Sequence, residues 1–526
     1  MSAQTQDTNI RLDGLVLDIR RAVAFRERTT DEGVLFYLSL FEDEIDDRLE
    51  RFLASPGIAS GTAATVGFAG VEASAPWLEL TDAIVLRGRA ERIVVVRGGS
   101  CTIPLFWRHQ MRGVRFSTTL PLLDGAKFSR AGLASALAVV CLPGAYEPNM
   151  WVETPLQAWR RLRRGAITTF QPGRTFPEEA VVDRIGPTDA VLNEDKIAER
   201  IRTAFADYNR SQRHVTSSVL ELSGGFDSTL AGTGARTPHN TMRGVSVEFP
   251  YYEFRFERPV QQAVGAALGI PRIVLDGAEM FPYAPWEKPP RFDEPAIFVT
   301  GIRHVEKVAG LAAAHNATRI YMGHGGDQLF STDLTADEPV SRALARAPFS
   351  RDTWHVLRQA MAQIQKSLWR RRSTGCFVYD ARQDVWVKEA FGASVRTPFS
   401  DIALFRVAQM WSRWCASQNA RPDKTILSHA LGHMLPDAVV QRKGKVAYDG
   451  VWMRAYAVHG EHIARTLDRA SAVLEHIGVS PAWLLRRVRQ LAAWQPVSDR
   501  EILGAYGLSA WLISWGIERV SDVAWE

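Results

Sequence analysis

Residues 218–228 read Ser-Val-Leu-Glu-Leu-Ser-Gly-Gly-Phe-Asp-Ser and leave the chain few ways to fold around them. The run 215–222 is apolar and β-branched, which predicts a short buried strand. A helical pattern begins at Thr229. A strand that enters a Gly-rich turn and leaves as a helix gathers backbone N–H groups and the positive end of a helix dipole at one point, an anion site. Gly224 and Gly225 permit close backbone approach, Ser223 and Ser228 offer hydroxyls, and Asp227 can hold a cation. The spacing and lysine of a Walker phosphate loop are absent. The plainer alternative is a Gly-rich turn whose helix is capped by Asp227 or Ser228.

Downstream, strands over 242–249, 273–275 and 319–322 alternate with helices over 258–268 and 301–315, the first ended by Gly269. That alternation predicts an α/β fold with a doubly wound parallel sheet and a ligand at the strand carboxyl ends. A second glycine loop, Gly323-His324-Gly325-Gly326-Asp327-Gln328-Leu329-Phe330, follows the strand that ends at Met322. Upstream, residues 9–119 are β-rich, with strands over 92–97, 102–108 and 114–118 and a turn at Gly98-Gly99, and 131–140 reads as a helix. Residues 171–187, with three prolines and two glycines, read as a linker, after which Asn193 caps a helix to about 209. The expected organisation is a β-rich domain over 1–170, a linker over 171–192 and a second domain over 193–526, helical in its last part.

The formal charge of +5 suits an anionic ligand such as ATP or an acidic peptide. No basic stripe interleaved with aromatics points to nucleic acid. The four cysteines form no CxxC pair, so neither a zinc site nor a disulfide framework is expected. The scattered cysteines suit a reducing cytoplasm, and with a polar N-terminus and no long apolar run neither a signal peptide nor a membrane span is expected. His429 and His433 share a helical face but lack further metal ligands, and Trp369-Arg370-Arg371-Arg372 reads as a helix end, the alternative being a patch that docks an acidic peptide.

The order Ser-Gly-Gly-x-Asp-Ser resembles the pyrophosphate loop of the ATP pyrophosphatases, and Gly323–Phe330 resembles the Gly-x-Gly-x-Asp-x-Leu-Phe segment of the asparagine synthetase family. Ser246-Val247-Glu248-Phe249, the acidic Glu257, Val395-Arg396-Thr397-Pro398-Phe399-Ser400-Asp401 and the series from Lys424-Thr425-Ile426-Leu427 through Leu435-Pro436 to Arg442-Lys443-Gly444-Lys445 resemble further segments of that family. The resemblance implies ATP contacts at Leu222, Ser223, Gly224, Gly225, Phe226, Asp227, Ser228, Met322 and Gly323, with backbone at Val247 meeting adenine. It implies magnesium shared by Asp227 and Asp327, and charge neutralisation by Lys443 or Lys445. Ser394 stands where asparagine synthetases carry a glutamate, and His324 where β-lactam synthetases carry a tyrosine, so a neutral His324 is a candidate base.

Arg97-Gly98-Gly99 followed by Pro104-Leu105-Phe106-Trp107 resembles a worn glutaminase domain of the class B asparagine synthetases, a degenerate Ntn-type half. A working glutaminase attacks with an N-terminal cysteine. This chain opens Met1-Ser2, and Gly98 replaces the acid of the turn, so no glutamine hydrolysis is expected. The whole is most similar to the lasso peptide cyclases. That implies adenylation of an Asp or Glu side chain of a precursor peptide, then macrolactam closure by the peptide's N-terminal amine. A leader peptidase and a leader-recognition protein are the implied partners. The alternatives are a small-molecule amide or β-lactam synthetase using the same adenylate, and a non-catalytic scaffold with a decayed site.

Overall fold

The first half of the chain, in a computed structural model, builds two β-sheets around one core. One has the order β1-β2-β8-β7-β9, from β1 (Thr8–Leu12), β2 (Leu15–Ile19), β7 (Phe106–His109), β8 (Val114–Ser117) and β9 (Arg160–Arg161). The other is antiparallel, in the order β11-β10-β6-β5-β4-β3, from β3 (Ala24–Thr30), β4 (Gly33–Ser39), β5 (Ala83–Gly88), β6 (Ile93–Arg97), β10 (Ala166–Phe170) and β11 (Glu178–Val181). Strand side chains alternate, so Leu15, Leu17 and Ile19 of β2 point inward and meet Phe36, Val85 and Val95 of the other sheet. The structure describes residues 8–12, 15–20, 23–30, 33–39, 45–46, 50, 83–88, 92–98, 101, 103–111, 113–120, 122, 127–141, 154–163, 165–171, 174–181, 193–249, 257–286, 290–331, 349–355, 381–442, 449–495, 497 and 499–525.

Two details differ from the sequence reading. The strands on either side of Gly98 do not pair: β6 and β7 lie in different sheets. Buried Arg97 ties the crossing by donating to the carbonyls of Leu162 at 2.5 Å and Ile103 at 2.6 Å. The stretch 171–192, expected as a linker, carries β11, which adds an edge strand to β10 in spite of its prolines.

In the second half, β12 (Ser217–Glu221), β13 (Thr241–Glu248), β14 (Arg272–Asp276), β15 (Arg319–Tyr321) and β16 (Ser394–Arg396) form a wholly parallel sheet in the order β14-β13-β12-β15-β16. The chain steps outward from β12 to β14, then returns to the opposite side of β12 as β15. The order therefore reverses between β12 and β15, where open α/β sheets bind ligands. Leu220 and Leu222 pack with Leu230 of the helix Phe226–Ala235 and Val264 of the helix Glu257–Leu268 on one face. Val219, Val245 and Ile320 pack with Val308, Ala309 and Ala312 of the helix Ile302–Ala314 on the other. The helix Glu194–Ser211 starts at Asn193, whose side chain accepts from the Lys196 amide at 3.0 Å.

The last part of the chain is helical: Asp449–Arg469, Pro481–Ala492 and Arg500–Ser514. Their core continues into the first half, joining Tyr456, Ile463 and Trp511 to Phe106, Phe128, Leu156 and Trp159. Each fully buried Leu or Phe there contributes about 1.5–3 kcal/mol. Charged residues seal the same boundary. Asp293 accepts from Arg20, from the Thr119 hydroxyl at 2.7 Å and from the Leu120 amide at 3.1 Å, and Arg161 pairs with Glu294. Among the described residues, no helix is long and apolar enough to cross a membrane.

Candidate active site

The loop after β12 is fixed at both ends. The Leu222 amide donates to the Val245 carbonyl at 2.7 Å and the Ser246 hydroxyl donates to the Leu222 carbonyl at 2.8 Å. Gly224 then takes φ +73°, a conformation that side chains resist. Gly225 begins the helix Phe226–Ala235 without a side-chain cap, which leaves the dipole end open. Ser223 and Ser228 stand hydroxyl to hydroxyl at 2.9 Å, and the hydroxyls of Ser228 and Thr229 donate to the Gly225 carbonyl at 3.1 and 2.8 Å. The turn is thus bonded from inside.

The loop after β15 lies directly against it. The Met322 amide donates to the Arg396 carbonyl at 3.0 Å, and Thr397 donates to the His324 carbonyl at 2.7 Å. A Cβ at Gly323 would collide with the Ser228 amide, and one at Gly326 with the Asp227 carboxylate. Gly325, at φ +103°, is seated on Phe399. Lys424 closes the pair of loops: its Nζ lies 2.5 Å from Asp227 Oδ2 and 2.6 Å from Asp327 Oδ1. Two carboxylates converging on one cationic atom fit a hard divalent cation such as magnesium, which takes its other ligands from phosphate oxygens and water.

Arg442 approaches from below the first loop. It donates to the Gly224 carbonyl at 3.2 Å and pairs with Glu257 at the start of the helix Glu257–Leu268. Lys443 and Lys445 lie outside the described residues, as does the Trp369–Arg372 cluster. Val247 is half-buried near the carboxyl end of β13. Ser394 opens β16 opposite Arg319, whereas the loops spring from the other end of that strand, beside Arg396.

A third group shares this edge. Glu221, the last residue of β12, lies 2.5 Å from Nε2 of His304. Burial works against the charge on both, yet each stabilises the other: the Glu221 carboxyl is held below its ordinary pKa and the His304 imidazole above its own. His324 is solvent-exposed at the loop surface, yet the protein around it lowers its pKa, and the charges of Glu221 and Asp327 only partly offset that effect. A pKa moved below the ordinary histidine value favours the neutral ring.

The sequence reading brought Asp227, Asp327 and the two glycine loops to one place, and the structure gathers them. It quoted Lys424 and Glu257 only as parts of family segments, Glu221 only as part of the strand before the first loop and with no role, and His304 not at all. Lys424 had a signal, the Lys-x-x-Leu spacing. Glu221 and His304 had none beyond a charged residue at the end of an apolar strand.

The profile of the family described as asparagine synthase matches residues 196–388 and 381–513. Among curated proteins, none matches. Among solved structures, the chain is similar to the U34-tRNA thiolase NcsA from Methanococcus maripaludis with its 4Fe-4S cluster, at 10% identity over 48% of this chain and 82% of that one, with a TM-score of 0.21.

Proposed function

The chain belongs to the asparagine synthase family and is an ATP-using enzyme of the ligase type, and we propose that it closes a macrolactam ring within a precursor peptide. The observation that carries this reading is the locking of two glycine loops at the β12–β15 reversal, with Asp227 and Asp327 on one cation. The wording of the second loop, Gly-His-Gly-Gly-Asp-Gln-Leu-Phe, favours a lasso peptide cyclase over a small-molecule amide or β-lactam synthetase.

In this reading an oxygen of an Asp or Glu side chain of the peptide attacks the α phosphorus of ATP. The bond to the β phosphate breaks, giving an acyl-adenylate and pyrophosphate. The peptide's N-terminal ammonium first loses a proton to solvent, the free amine attacks the acyl carbon, the bond to the AMP oxygen breaks, and the nitrogen's remaining extra proton passes to His324, the candidate base, and on to solvent. Backbone N–H groups from Ser223 to Ser228 and the open helix end cradle the phosphates. Asp227 and Asp327 would hold magnesium, which when bound neutralises charge on the phosphate oxygens. Lys424 is positioned to share that load, and Lys443 or Lys445 remains a candidate for the leaving pyrophosphate. Because both reacting groups belong to one peptide, holding them together supplies much of the rate. The new N-terminus must first be exposed, which calls for a leader peptidase and a leader-recognition protein as partners.

The test is to incubate the full chain with ATP, Mg²⁺ and leader-free peptides bearing a free N-terminus and an internal Asp or Glu. Pyrophosphate and peptide mass are followed together. The expected result is pyrophosphate release with loss of one water from the peptide, both lost in Asp227→Asn and Asp327→Asn. Pyrophosphate release with small amino acids but with no peptide would sink the peptide reading and favour the small-molecule one.

A further inference from the structure

The carboxyl edge of β12 presents a second charged group that the phosphate machinery leaves unused. Glu221 shares a strand face with Val219, which packs against the helix Ile302–Ala314. Leu220 and Leu222 face the other way, onto the helix that carries Asp227. Alternation along one strand therefore divides the two charges: Asp227 rises from one layer and Glu221 from the opposite one. His304, from that opposite layer, bonds Oε1 of Glu221 at 2.5 Å, with both side chains about 30% exposed. Among the described residues, Oε2 of Glu221 accepts no hydrogen bond. The titratable groups acting on Glu221 are His304 and, from the second loop, His324, on which Asp327 acts in turn. A half-buried carboxylate with one oxygen fixed and the other open is built to take a cation. Ser394, at the position of the family's glutamate, carries no charge and lies at the far end of β16, so Glu221 supplies a carboxylate from a different strand.

We propose that Glu221 is the seat of the amine nucleophile, its Oε2 receiving a primary ammonium group while His304 holds Oε1 and sets the direction of the carboxylate. The assignment rests on the amide-forming reading and gives it the subsite for the second substrate group. Glu221 acts here as a binding residue and His304 as a positioning residue. The geometry selects a compact cation over an acylated, uncharged amine, because only an ammonium brings a charge-assisted donor to the open oxygen of the carboxylate.

The experiment uses the full chain with carbon-13-labelled histidine rings and two probes, glycinamide as the ammonium and N-acetylglycinamide as its uncharged match. Glycinamide is expected to shift the His304 ring resonance saturably in the millimolar range, the affinity of a single charge-assisted contact. N-Acetylglycinamide should produce no saturable shift, and Glu221→Gln should weaken the glycinamide response by about tenfold or more. His304→Gln, read on the His324 resonance, should weaken it by a smaller factor, which guards against a Glu221 variant that fails to fold. An equal response to both probes, or a response unchanged in Glu221→Gln, overturns the assignment. The two proposals fail separately. A selective glycinamide response with no peptide-dependent pyrophosphate release keeps the subsite and removes the reaction, whereas peptide cyclisation at the normal rate and KM in Glu221→Gln removes the subsite and keeps the reaction.

Discussion

The guanidinium of Arg442 joins the carbonyl of Gly224 to the carboxylate of Glu257, and so fixes the most strained point of the first loop to the start of the neighbouring helix. Arg442→Ala frees the loop and leaves a largely buried Glu257 without its partner, at a cost of about 1–3 kcal/mol. The KM for ATP should rise by about tenfold, tracking the loss of loop order. Arg442→Lys should recover little, because one ammonium does not span both acceptors as a planar fork does. Urea unfolding and the ATP dependence of pyrophosphate release measure the two effects. A variant with wild-type KM would mean that the loop holds its shape without Arg442.

Lys424 sets a dependence on metal. Lys424→Gln removes the ammonium that lies against the carboxylates of both Asp227 and Asp327. The thermal midpoint without metal should fall by several degrees, and added Mg²⁺ should raise it more in the variant than in the parent, by mass action on the folded state. Equal Mg²⁺ responses in the two proteins would count against a shared cation site.

Gly323→Ala introduces a methyl group into the contact between the loops. The backbone of Ser228 cannot yield without moving the helix start, so nucleotide binding should be lost while far-UV circular dichroism stays close to that of the parent. Gly392→Ala, with open space around its Cβ although its φ of +75° strains the chain, is the control for strain alone.

His324→Ala should separate the two chemical steps. His324 is exposed beside the loop and its pKa is lowered, so its loss should slow ring closure by about 10²–10⁴-fold, the range usual for a general base. Pyrophosphate release with peptide present should continue. Loss of both together would place His324 in the ATP site instead.

The Glu221–His304 pair predicts a pH window for stability. The raised His304 pKa gives stability that is complete below the unfolded value near 6.5 and is lost as pH rises through the folded value. The lowered Glu221 pKa gives stability that is complete above the unfolded value near 4.5 and is lost as pH falls through the folded value. The stability difference between parent and Glu221→Gln should therefore peak between those two unfolded values and shrink on both sides. A flat difference from pH 4 to 9 in denaturant titrations would contradict the pairing.

The sheet and the two glycine loops were legible because they rest on local signals, namely strand periodicity, paired glycines and a helix start within a few residues, whereas the convergence of Asp227 with Asp327 was implied by the resemblance to the asparagine synthetase family and by no local signal. The parts that sequence did not yield are long-range. Lys424 reaches Asp227 across 197 residues, and His304 reaches Glu221 across 83. Nothing near either residue encodes its partner. β11 was hidden for the opposite reason: its flanking prolines and glycines carry a local loop signal that pairing with β10 overrides.

The shared core of Phe106, Phe128, Leu156 and Trp159 with Tyr456 and Trp511 sets how the chain can be handled. The matched segment 196–513 looks like the portion to isolate. Cutting away what precedes it would strip the cover from Trp511, leave Asp293 and Glu294 facing water without Arg20 and Arg161, and present a broad greasy wall to solvent. Whatever chemistry the β-rich half has or lacks, it serves as the hull of the machine, and the truncated protein would clump rather than work.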